Sequence, residues 1–174
     1  MRIFILLALL GSQVAFASAV RAQCVVLSDL LAIGADPSAQ VSGKVVTDHL
    51  SPEWVYAAPT PTAREASWAW QPAGATAATA RLLVRPQRPG QDVVLKTAQA
   101  NCVRDLRSEL KARKLASQPV TCPNCEAVRY QAADFEVTLY SQMKGEFPFV
   151  VVVHQVPAGM TPAAAAGAIK GNMP

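Results

Sequence analysis

The spacing of apolar positions changes from one stretch of this chain to the next, and each spacing predicts a different element. Residues Ile3 to Leu10 form an unbroken apolar run behind the single charge of Arg2. Val25, Val26, Leu27, Leu30 and Leu31 follow, closed by Gly34, and predict a short strand or a turn of helix packed under the rest. Asp36-Pro37 is a helix start, because Asp caps free backbone N–H groups and Pro suits the first helical position. That helix is predicted to run to about Leu50, with Ala39, Val41 and Val45 inward, weakened by Gly43 and ended by Ser51-Pro52.

The period then falls to two, the spacing of a strand with one buried face. Glu53 to Ala58 carries Trp54 and Tyr56 on one side, and Arg64 to Gln71 carries Ala66, Trp68 and Trp70 on one side, across a turn at Pro59 to Pro61. After a loose Ala/Gly/Thr stretch, Ala80 to Val84 is a third run. Pro86 to Gly90 turns the chain, and Asp92 to Lys96 is a short fourth run expected at the periphery. Thr97 is placed to cap the strongest helix, in which Cys102, Val103, Leu106 and Leu110 recur at spacings of three and four, with Arg104, Arg107, Lys111 and Lys114 elsewhere. Glu109 and Arg113 stand four apart as a mildly favourable pair. Three strands are predicted after it: Cys125 to Gln131, Phe135 to Tyr140, and Phe147 to Val153. The last is apolar on both faces and is therefore expected to be central and covered.

These elements predict an α+β fold: two helices packed on one antiparallel sheet of about six strands, in tandem pseudo-repeats over residues 36–96 and 97–156. The repeat is one of pattern, without sequence identity between halves. The arrangement over residues 36–155 resembles, in architecture alone, the tandem helix-plus-sheet modules of β-lactamase-inhibitor-like secreted proteins. No specific motif carries that resemblance, so it implies a fold and little about function.

The first 22 residues change the picture in other ways. Arg2, the apolar run, and small residues at Ala15, Ala17, Ala19 and Ala22 follow the order of a secretory signal peptide, with cleavage favoured before Gln23. The run is shorter than the ~20 residues of a membrane span. Cys24 lacks a lipoprotein context, since Gln23 directly precedes it and Arg21 stands where Leu is usual. Residues 23–156 are expected to form one exported domain. The Ala/Gly/Pro stretch 157–174, with Lys170 its one charge, is expected to be a disordered tail. The formal net charge is +4, from 16 basic and 12 acidic residues. Arg2 and Arg21 lie in the signal, so the remainder carries 14 against 12, or +2. The densest basic stretch, Arg104 to Lys114, is interleaved with Asp105 and Glu109 and reads as a solvated helix face. No nucleic-acid partner is expected, and no membrane span in the mature chain.

Four cysteines in an exported chain allow three pairings. The favoured one closes Cys122-Pro123-Asn124-Cys125 as a β-turn and leaves Cys24 to Cys102. A reactive CxxC pair needs a helix behind it to lower the thiol pKa, and strand alternation follows Cys125 instead. A structural zinc site needs two close pairs, and Cys24 and Cys102 are isolated. His49 and His154 end elements, where surface or capping roles are ordinary. Asp134 and Glu136 are expected on one strand face. No HExxH, GxSxG, Walker loop or GxGxxG occurs. Trp54, Trp68 and Trp70 have two readings: core beneath the first helix, which is favoured, or an exposed stacking face for a binding partner.

The expectation is thus a non-catalytic binding or inhibitor-like module, without cofactor, acting on a protein or polymer partner outside the cytoplasm. The alternative is a thiol-disulfide or metal-handling protein using Cys122 and Cys125. Intact mass with and without alkylation, on protein recovered from an oxidising compartment, separates them. Four oxidised cysteines resistant to mild reductant are expected of the binding module. A readily reduced Cys122/Cys125 pair with a thiol pKa near 7 would speak for the alternative.

Overall fold

A computed structural model describes residues 23–155 apart from Arg64 and Arg88. The proposed signal segment and the Ala/Gly/Pro tail lie outside the described residues. In chain order the elements are α1 (Leu27–Ala35), a 3-10 turn (Pro37–Gln40), α2 (Gly43–Thr47), β1 (Trp54–Ala57), β2 (Ser67–Trp70), β3 (Ala80–Pro86) and β4 (Gln91–Thr97). There follow α3 (Ala100–Ala112), β5 (Ala116–Val120), β6 (Glu126–Gln131), β7 (Phe135–Ser141) and β8 (Phe149–Gln155).

The fold is α+β, and every strand pairing is antiparallel. The sheet has eight strands in the order β1-β2-β3-β4-β8-β7-β6-β5, not about six, and three α-helices rather than two are present among the described residues. Strands β1–β4 form one meander and β5–β8 another. The last strand of each meets the other at the centre, where β4 and β8 pair over seven residues from Gln91↔Gln155 to Thr97↔Phe149.

Alternation along the central strands sorts side chains to two faces. One face turns Leu82, Val84, Val93, Leu95, Val137, Leu139, Val151 and Val153 into a core shared with Leu27, Leu30 and Ile33 of α1 and Val103, Leu106 and Leu110 of α3. Both longer helices therefore cover the same side.

Four sequence expectations are corrected here. The stretch 36–50 is not one helix. Asp36 accepts hydrogen bonds from the Ser38 backbone N–H (2.8 Å) and hydroxyl (2.7 Å), but only a 3-10 turn follows. Those two bonds, with His49 as a weaker positive neighbour, hold its carboxyl below the usual range despite partial burial. Val41 stands 86% exposed at the end of that turn instead of facing the core. The real first helix is α1, whose Leu27, Leu30 and Ile33 are buried at helical spacing. The Asp92–Lys96 run is not peripheral: β4 sits between β3 and β8, with its two charged ends on the face away from the helices. Strand β5 was not foreseen, because Ala116 to Pro119 are all exposed and no alternation marks them. It is an edge strand, where Pro119 is tolerated for want of a second neighbour. Finally, Thr97 does not cap α3 itself. Its hydroxyl accepts from the Gln99 backbone N–H (3.0 Å) in the turn leading in, and Gln99 holds the cap position.

The buried Gln91 fastens α1 to the sheet. Its Nε2 donates towards the carbonyls of Ile33 (3.1 Å), Gly34 (2.9 Å) and Asp36 (2.7 Å), at the C-terminal end of α1 where carbonyls lack helical partners. Gly34 is small for a reason of packing: a Cβ there would lie 3.2 Å from Cβ of Gln155. Replacing Gln91 by Leu removes the only donor shown for the Gly34 carbonyl, while Ile33 and Asp36 keep backbone donors. Gln91→Leu is expected to lower the unfolding free energy by about 1–2 kcal/mol in urea titrations.

Candidate functional site

The structure places Cys24 beside Cys102 (Cα–Cα 5.1 Å) and Cys122 beside Cys125 (5.3 Å) as disulfides, with no free cysteine among the described residues. Disulfide-bonded cysteines are compatible with an extracytoplasmic location. Cys102 is buried on α3, so the first bond pins the segment before α1 to that helix. The second bond closes a tight turn with Pro123 at its second position and Asn124 at φ +62°, the type II signature. The Cys125 N–H points back to the Cys122 carbonyl at 3.4 Å. Strand β6, not a helix, follows, so no helix dipole acts on either sulfur.

Trp54, Trp68 and Trp70 are 4%, 1% and 8% exposed, which removes them as a stacking face. The register explains why. Trp54 opposes Trp70, and Trp68 lies on the same side, against the helices. The Trp68 indole N–H donates to the Thr47 hydroxyl (3.0 Å), and its ring meets Tyr56 at 5.3 Å between centroids. Asp134 precedes β7 in an exposed turn, so it shares no strand face with Glu136. His49 lies just beyond α2 and, with Asp29, Cys24, Leu50 and Ser51, lines a small cleft of about 140 Å³. Among the described residues no three His, Cys, Asp or Glu side chains gather as metal ligands would. No helix there is long and apolar enough to cross a membrane.

What the sequence did not reveal is the other face of the sheet. No described helix covers it. Pairing lays its side chains out in rows running from β3 to β6. The first row reads Arg85, Asp92, His154, Glu136, Gln131, and its charges are satisfied. The Asp92 carboxylate accepts from His154 Nδ1 at 2.7 Å, Arg85 donates to Glu65 (3.0 Å), and Glu136 makes an ion pair with Arg129 at 3.1 Å, though not in hydrogen-bond geometry. In the second row Leu83, Val94 and Val152 form an apolar floor that ends at Thr138 and Arg129, with Leu83 and Val94 buried although they lie outside the helix-side core.

The third row is different. Arg81 and Lys96 stand directly opposite each other on neighbouring strands, like charges at the spacing where cross-strand pairs interact most. Neither makes an ion pair with a described residue. The loop between β7 and β8 bends beside them, with its Met143 N–H bonded to the Pro148 carbonyl (3.0 Å) and Gly145 at φ +109°. Phe147 from that loop lies under the Arg81 guanidinium at 5.8 Å. Together they wall a cleft of about 410 Å³ over Val94, Val150 and Val152, with Arg81, Arg85, Lys96 and Lys144 against Asp92 and Glu146. The cleft holds no nucleophile paired with a base. It combines an apolar floor with an excess of positive charge at its rim.

No family model matches the chain, and neither a curated protein nor a solved structure is similar to it at a significant level.

The two disulfides close loops of very different length, with sequence separations of 78 and 3. On loop-closure entropy, the double variant Cys24→Ser/Cys102→Ser is expected to lose about 4–5 kcal/mol of stability, against about 2 kcal/mol for Cys122→Ser/Cys125→Ser. Thermal unfolding of the two variants beside the parent checks that order.

Proposed function

We propose that this chain is a non-catalytic binding module, exported by its first 22 residues, which engages a protein partner with the sheet face opposite its helices. The observation that carries the reading is the cleft on that face, which combines a rigid apolar floor with charged side chains. Binding sites are commonly concave, partly apolar and fitted with a few placed polar groups. The disulfides and the signal-like leader agree in compartment. The two meanders, each led by helical segments and merged at β4–β8, are read as tandem modules of one pattern, which makes a wide, continuous sheet face available to a partner.

A photo-cross-linking amino acid at the exposed Lys144, on the rim of the cleft, tests this in cells of the source organism, with the exposed Ser108 on α3 as the contrasting position. An intermolecular protein adduct from position 144 and none from position 108 is the expected outcome. Equal labelling from both positions, no adduct from 144, or an adduct only to the chain's own residues 156–174 would each overturn it.

A further inference from the structure

Resting on that reading, we infer that the cleft receives a carboxylate side chain of the protein partner, an Asp or Glu flanked by an apolar residue, held between Arg81 and Lys96. The unrelieved pair is the starting point. A sheet that sets two cations directly opposite each other accepts a repulsion that an ion pair would remove, and natural sequences keep such local conflicts mainly at functional positions.

Among the described residues no acidic side chain pairs with either cation. Asp92 is engaged by His154, and Glu65 by Arg85. Glu146, on the exposed loop, makes no ion pair with either cation. The residues outside the described set, 1–22, 156–174, Arg64 and Arg88, contain no Asp or Glu at all. An acidic side chain must therefore come from another molecule. Phe147 holds the Arg81 guanidinium in place without neutralising it.

The surroundings choose among anions. At the centre of an eight-stranded sheet the backbone N–H groups of β3, β4 and β8 are spent on the ladder, so these strands offer no nest of backbone donors of the kind that cradles phosphate. Two separate side-chain cations over Val94, Val150 and Val152 fit a single carboxylate with apolar atoms beside it. A protein segment supplies both from adjacent residues.

The probe is a pair of short capped peptides, acetyl-Gly-Glu-Phe-Gly-amide and its Gln counterpart, titrated into the disulfide-bonded protein and followed by NMR. The Glu peptide is expected to move the backbone signals of Val94, Val150 and Val152 and the side-chain signals of Arg81 and Lys96. The Gln peptide should bind about fivefold more weakly or less, and Arg81→Gln/Lys96→Gln should abolish the response. The charge-preserving exchange Arg81→Lys/Lys96→Arg should retain it, which separates charge from folding. Equal binding of both peptides, no response to either, or an equal response to inorganic phosphate overturns the inference.

The Lys144 cross-link distinguishes this failure from failure of the parent reading. In the Arg81→Gln/Lys96→Gln background the adduct should fall about tenfold. An undiminished adduct sinks the carboxylate assignment and leaves the sheet-face reading standing. No adduct in the wild type sinks both.

Discussion

The pairing of β4 with β8 is the constraint on which the rest of this structure depends. Each meander alone would end in an open strand, with a row of unpaired backbone groups facing water. Joining the two final strands over seven residues removes both edges at once and leaves only β1 and β5 exposed at the rims. The seam also sets the register. A slip of one residue would turn Val93, Leu95, Val151 and Val153 away from the helices and bring Asp92, Lys96 and His154 into the core. The apolar pattern of both strands thus specifies one alignment, and that alignment sets Asp92, Lys96 and His154 on the open face.

The covered and open faces divide the work. On the covered side, α1 is held by Gln91 at its C-terminal end, and the segment before it is tied to α3 by Cys24–Cys102. The three tryptophans are buried in the same core, where Trp68 reaches Thr47 of α2. These aromatic and sulfur-containing residues belong to the covered side, and the other side carries two arginines, two lysines, a histidine–aspartate pair and a valine floor around the cleft. The difference within that face is informative. Its first row is internally neutralised, while its third keeps two cations without an ion pair to any described residue, and the cleft opens over the third.

Much of the fold could be read from spacing. The helix bearing Cys102, Val103, Leu106 and Leu110 buries those four residues, and the Glu109–Arg113 pair forms at 3.0 Å. Seven of the eight strands fall where period-two or doubly apolar runs predicted strands. The failures have physical causes. Strand β5 is held by backbone pairing to β6 alone, so its side chains needed no pattern. Asp36-Pro37 is a sound helix start, yet the chain turns at Val41 and Ser42, and Gly43 packs against the Tyr56 ring, which no local signal encodes. The candidate site was legible least of all. Arg81, Lys96 and Lys144 are ordinary surface residues in one dimension, while the residue types that drew attention there, cysteines and tryptophans, are paired as disulfides or buried in the core.

By itself the sequence determined the class of fold, the faces of the strands, the residues that must be buried, and an even number of cysteines suited to an oxidising compartment. Those properties are local: a period of two, a spacing of three and four, a turn residue, a charge. Only the tertiary structure decided that β4 is central, that the two meanders join through β4 and β8, and that Arg81 meets Lys96 across a strand pair above an open cleft. Such juxtapositions depend on which strand lies beside which. Strand order is set by the burial of whole faces and not by any single stretch of chain.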